Sequence, residues 1–187
     1  MGYSYHTEQW LPYPVEAVFA FFTNPDNLPA LMPAWQQARI EKAALVPPPA
    51  ASASAGSACA GNGTRLTLSF RPFRHLPFRV RWEAEITDFS WNGQFCDRQV
   101  RGPFAWWYHC HRLRPVDRHG MDMTLIVDHV EYELPFGFVG SLVHRLFVRR
   151  QIEEIFSFRQ RQLSQIFSRM PPESHRPQPQ PQQQKSA

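Results

Sequence analysis

Before Pro135, hydrophobic and polar residues mostly alternate with a period of two. Leu66, Leu68 and Phe70 alternate with polar neighbours in Thr64–Phe70. Val80, Trp82, Ala84 and Ile86 do so against Arg79, Arg81, Glu83 and Glu85 in Phe78–Phe89. Such alternation predicts half-buried strands. Residues 3–11, Ala38–Val46, Gln94–Val100, Phe104–Leu113 and Met121–Leu134 bring the set to about seven. Asn92-Gly93, Gly102-Pro103 and Asp117 to Gly120 mark turns between consecutive strands, so the pairing should be antiparallel.

The pattern changes period twice. Val15, Val18, Phe19 and Phe22 share one face of a short helix over Val15–Phe22, with Pro14 near its first turn. Asn24 can cap a second short helix that opens with Pro25 and is kept short by Pro29 and Pro33. From Phe136 to Phe167, Leu142, Leu146, Ile152, Phe156, Leu163 and Phe167 hold one side of a helix apolar, widened by Ile155 and Ile166. An unbroken helix from Val139 to Ser168 would be about 45 Å long. A helix of that composition needs a broad surface to lie on. The expected fold class is therefore α+β, a curved seven-stranded antiparallel sheet wrapped on a long C-terminal helix, with two short helices after the first strand.

Two stretches fall outside this pattern. Residues 47–61 are rich in Pro, Ala, Ser and Gly and read as a flexible loop, with Cys59 incidental to it. Residues 170–187 are rich in Pro and Gln and read as a disordered tail, leaving one domain over 1–169. A chain of 187 residues with 43% hydrophobic residues can bury a sizeable core. The 15 Phe and 6 Trp can line a cavity as well as fill one.

Charge and cysteines narrow the partners. The net charge is +4, almost all of it arginine, with no basic run that would make a nucleic-acid tail. Neither a signal peptide nor an apolar stretch long enough for an integral membrane segment is seen. Cys59, Cys96 and Cys110 are odd in number and lie in unlike contexts, which argues against a disulfide framework and fits a reducing compartment. With no signal or membrane segment read, the expected setting is cytoplasmic. No pattern sets an oligomeric state.

Candidate chemistry concentrates on two strands. Trp107, His109, His111 and Leu113 share one strand face, and Trp106, Tyr108, Cys110 and Arg112 the other. An H-x-H pair can begin a metal site, but no nearby Cys, His or Asp spacing supplies a third ligand, so neither metal nor cofactor is expected. Asp128 shares a face with Ile126, Val130 and Tyr132; the right hairpin register would bring it across from His109. Such a pair is either a buried structural cluster or a general base whose tautomer the carboxylate fixes. Arg159, beside the apolar stripe, would reach Asp128 or anchor an anionic ligand group. No G-x-S-x-G, P-loop, G-x-G-x-x-G or H-E-x-x-H occurs.

Several ordered pieces together resemble the START-like (SRPBCC) superfamily with its helix-grip fold. They are Pro14-Val15-Glu16-Ala17-Val18-Phe19, Asn24-Pro25 with Leu28-Pro29, Trp82, and Phe95-x-Asp97-x-Gln99-x-x-Gly102-Pro103-Phe104. Trp107-x-His109-x-His111, Asp128-x-Val130-x-Tyr132-x-x-Pro135 and Ile155-Phe156-x-x-Arg159 complete the set. The resemblance spans about residues 3–168 and is nearest to the bacterial polyketide cyclase/dehydrase-like, ligand-binding branch. It implies a cavity between sheet and helix for a small hydrophobic or amphipathic molecule, and the His face of 104–113 as the inward one. The expected lining is Trp82, Trp107, His109, His111, Tyr132, Phe156 and Arg159. A rival reading is a cyclase or dehydratase using His109 and Asp128, with Tyr132 or Arg159 as donor. A third is a non-catalytic structural or interaction module.

Overall fold

The computed structural model describes residues 2–48, 59–118 and 120–170. Seven strands form one curved antiparallel sheet: β1 (Gly2–Leu11), β2 (Arg39–Ala44), β3 (Arg65–Phe70), β4 (Val80–Ser90), β5 (Gln94–Arg101), β6 (Trp106–Arg118) and β7 (Met121–Glu133). Their order is β1-β7-β6-β5-β4-β3-β2, so β2 to β7 lie as successive neighbours and β1 closes beside β7. Strand β6 runs five residues beyond the expected Leu113 without conflict with Pro115. The β5 pairing ends at Gln94↔Arg112, so on that side Pro115 has no ladder bond to lose.

Helix α1 (Val15–Thr23) follows β1 and buries Val15, Val18 and Phe19. The second short helix, Pro25–Leu31, is 3₁₀ rather than α, with Asn24 Oδ1 accepting from Asp26 N at 3.0 Å. Its prolines remove the donors that an α-helical ladder would use.

The C-terminal helix comes in parts: α2 (Gly137–Val143), a π-helical turn over His144–Val148, and α3 (Arg149–Arg169). Only α3 docks as expected, burying Ile152, Phe156, Leu163 and Phe167. Leu142 and Leu146, expected in the buried stripe, are exposed, as are Phe136, Phe138, Val139 and Phe147. The π turn carries an extra residue, which rotates the preceding face by about 100° relative to the α3 stripe. Gly140 is required where α2 turns back, because any Cβ there would collide with the Pro135 carbonyl.

Two apolar groups fill the space between sheet and helix. One gathers Leu11, Val18, Phe19, Phe95, Leu113 and Ile126 under Leu163 and Phe167. The other gathers Trp107, Val130 and Tyr132 under Ile152 and Phe156. Polar bonds fix α3 lengthwise: Gln9 Nε2 donates to the Gln160 carbonyl at 2.8 Å and Gln160 Nε2 to Thr7 Oγ1 at 2.8 Å.

The cysteine reading needs correction. Cys96 and Cys110 form a disulfide, their Cα atoms 4.0 Å apart. They are register partners on β5 and β6, a fact that depends on strand pairing and not on sequence spacing. The cysteine argument for a reducing, cytoplasmic setting therefore falls. Cys59 is not incidental either: it is buried, with Sγ donating to Thr23 Oγ1 at 2.9 Å. Of the proposed 47–61 loop, residues 49–58 lie outside the described residues, as do 171–187 of the proposed tail. No described helix is long and apolar enough to cross a membrane.

Phe156→Ala should cost about 3–5 kcal/mol in denaturant unfolding, the usual loss for a buried phenylalanine. Gln165→Ala, on the exposed side of α3, should cost no more than about 0.5 kcal/mol. Equal effects would contradict this docking of the helix.

Candidate functional site

The inner faces of β6 and β7 carry a polar layer between the two apolar groups. Along β6 the inward residues run Trp107, His109, His111, Leu113, all buried, while Trp106 on the other face is 45% exposed. The His face therefore points inward. Along β7 they run Ile126, Asp128, Val130, Tyr132, also buried. Over this layer α3 supplies Phe156, Arg159 and Leu163, so one arginine descends onto the His–Asp layer.

Asp128 is the hub. Its register partner is His111, not His109, yet Oδ1 reaches both rings: His111 Nδ1 at 2.5 Å and His109 Nε2 at 3.2 Å. Arg159 Nη1 lies 3.7 Å from the same oxygen, and Nη2 lies 3.1 Å from His111 Nδ1. The guanidinium carbon lies over the Phe22 ring, 4.8 Å from its centre, a cation–π contact. On the far side of His109 stands Asp97, its β5 register partner, with Oδ2 3.3 Å from Nδ1.

Each charge follows from these partners. Burial opposes ionisation of Asp128, but the Arg159 charge and the histidines outweigh it and hold the carboxyl well below the usual range. Burial also opposes ionisation of Asp97, and its hydrogen bond to His109 and the nearby imidazoles win by lowering its pKa. Burial, followed by the charges of His109 and Arg159, pushes His111 down to about 3, leaving the ring neutral at physiological pH. Burial works against a charge on His109 as well, yet hydrogen bonds to Asp128 and Asp97 raise its pKa.

This layer forms one wall of a cavity of about 550 Å³ between sheet and helix. Trp82, Trp107, His109, His111, Phe156 and Arg159 line it, as does Asp97, while the rest of the wall is overwhelmingly apolar. Asp128 stands behind the histidines and is not part of the lining. Tyr132, expected in the lining, stands outside it. Its hydroxyl meets His144 Nε2 at 2.9 Å and borders a smaller hollow of about 240 Å³ with Tyr3 and Arg149. Burial pushes its phenol up to about 12. Three buried polar atoms in the lining residues have no hydrogen-bond partner: Arg159 Nε, Gln36 Oε1 and Trp107 Nε1. Trp107 Nε1 still contributes to keeping Asp97 ionised.

Sequence reasoning did not single out Asp97 or Gln36 as site residues. For Asp97 the signal was present in the alternation Phe95-x-Asp97-x-Gln99, which shares a face with the buried Phe95. Gln36 lies in a three-residue 3₁₀ turn with no periodicity to mark it.

No protein-family model matches the chain, and no curated protein matches it. Solved structures do. A START superfamily protein from Mycobacterium smegmatis is 12% identical, with a TM-score of 0.58 over 87% of this chain and 98% of that one. Norcoclaurine synthase from Thalictrum flavum is 15% identical, with a TM-score of 0.57 over 91% and 88%, and has also been solved with dopamine and hydroxybenzaldehyde. A protein from Thermus thermophilus is 17% identical, with a TM-score of 0.59 over 89% and 97%. At such identities the likeness is one of fold: the chain has the START-like helix-grip fold.

Because Asp128 is buried and shared, its removal leaves Arg159 without its carboxylate. Asp128→Ala should cost about 3–5 kcal/mol in urea unfolding. His129→Ala, one residue on and half-buried on the outer face, should cost about 0.5 kcal/mol. A loss at Asp128 no larger than at His129 would contradict the hub.

Proposed function

We propose that the chain binds one small apolar or amphipathic molecule between sheet and α3. The observation that carries this reading is the cavity of about 550 Å³, overwhelmingly apolar, with its charged groups gathered on one wall. That volume suits a ligand of drug-like size, and one polar wall suffices to orient it. Trp82, Trp107 and Phe156 would hold the apolar body. Arg159 Nε, a buried donor without a partner, would meet an oxygen-bearing head. The norcoclaurine synthase complex with dopamine and hydroxybenzaldehyde supports aromatic compounds as one class to test.

A second reading has its own observation: the Asp97–His109 pair and Arg159 open onto the same cavity. In a cyclase- or dehydratase-like reaction, Asp97 would exchange a proton with a bound carbonyl compound, backed by His109, whose two ring nitrogens both face carboxylates, and Arg159 would stabilise the developing oxyanion. Asp97, and not the expected Asp128, is the carboxylate that shares the cavity with His109.

Fatty acids, aromatic polyketides and quinones form the test panel, read by thermal shift and native mass spectrometry. At least one class should raise the melting temperature, and Trp107→Ala should weaken its binding about tenfold or more, or about 1.4 kcal/mol. A flat panel, together with an experimental structure whose interior is filled by side chains, would overturn the binding reading. Turnover of a bound carbonyl compound, lost in Asp97→Asn, would favour the enzyme over the carrier.

A further inference from the structure

The hydrogen bonding of the two histidines has a consequence for what lies in front of them. An ionised carboxylate can only accept, so a ring bonded to Asp128 spends a proton there. His109 uses Nε2 for that bond and His111 uses Nδ1. The 2.5 Å contact of His111 Nδ1 with the carboxylate outweighs the 3.1 Å approach of Arg159 Nη2, a group that could only donate to that nitrogen. The neutral rings then keep their lone pairs on Nδ1 of His109 and Nε2 of His111. Nδ1 of His109 lies 3.3 Å from Asp97 Oδ2. Two acceptors at that distance require a cation between them, either a second proton on the ring or a metal ion.

The spacing suits a metal. Neighbouring ligands on a tetrahedral ion with bonds near 2.0–2.1 Å stand about 3.3–3.4 Å apart. One donor atom from each of Asp97, His109 and His111 lies within 4.8 Å of the others. The third ligand that the H-x-H pattern lacked in sequence comes from the adjacent strand, through the Asp97↔His109 register. We propose that Asp97, His109 and His111 bind one divalent first-row transition metal of the Zn²⁺ type. Asp128 is its outer carboxylate, orienting both imidazoles as such partners do in known metal sites. Two histidines and one carboxylate leave coordination open, and all three residues face the cavity. The open position would take the oxygen of a carbonyl or carboxylate ligand. Arg159 does not compete for it: its guanidinium lies against Asp128 and the Nδ1 side of His111. There it neutralises the outer carboxylate.

The test needs no organic ligand, so it stands apart from the binding panel. Chelator-treated protein is titrated with Co²⁺, followed by visible absorption, then displaced with Zn²⁺ and analysed for metal content. One equivalent should bind. Asp128→Asn should weaken binding about 10–100-fold, and Asp97→Ala or His111→Ala at least as much. The double variant His6→Ala/His129→Ala removes a surface histidine pair with ring centres 6.2 Å apart and should leave binding unchanged. A measurement on the unaltered protein covers variants that fail to fold. Bound Co²⁺ should broaden the indole N–H signal of Trp107, whose ring is 6.2 Å from His109, and spare that of Trp10. Absence of one-equivalent binding, its loss in the surface double variant, or broadening at Trp10 instead of Trp107 would overturn the proposal.

Discussion

A single buried carboxylate, Asp128, sets the terms for the rest of this structure. Alone in such an interior it would cost several kcal/mol. Two imidazoles and the guanidinium of Arg159 offset that cost, and those three groups come from a neighbouring strand and from the helix. The charge therefore constrains where elements may sit. A shift of α3 by one residue would withdraw Arg159, and a slip of β6 by one residue would turn both histidines outward. Apolar packing on either side of this layer tolerates small rearrangements; the polar layer tolerates few.

The cavity follows from the same constraint. Asp128 satisfies His109 and His111 from behind, and the two histidines face the cavity. Arg159 reaches down from α3 to that layer; Trp82 meets Trp107 and Phe104 edge to face, and Phe156 meets His109 in the same way, around the space that remains. Stiff aromatic side chains hold such a space open better than aliphatic ones, whose extra rotamers would let it collapse. The β5–β6 turn brings Phe104 into this ring. Gln99 fixes that turn by donating from Nε2 to the Phe104 carbonyl at 2.8 Å.

Much of the fold could be read from the chain because strand and helix periods are written directly in it. Each of the seven strands lies where alternation places it, with ends displaced by a few residues. What could not be read depends on pairing. Alternation puts Asp128 on the His face, but only the β6–β7 register makes His111 its partner, and only the β5–β6 register brings Asp97 to His109 and Cys96 to Cys110. The long helix failed for another reason. The apolar residues of 136–147 fit a helical stripe, but the π turn at His144–Val148 takes them off the α3 face, and Tyr132 is drawn away from the cavity to bond His144. Nothing in a hydrophobic pattern marks an extra residue in a turn.

The central claim, that Asp128 fixes the histidine layer, is tested most directly by ¹⁵N–¹H correlation of the imidazole nitrogens near neutral pH. The arrangement predicts His111 neutral with its proton on Nδ1, and a hydrogen-bonded N–H on Nε2 of His109. Both signatures should be altered in Asp128→Asn. A charged His111, or one carrying its proton on Nε2, would contradict the account.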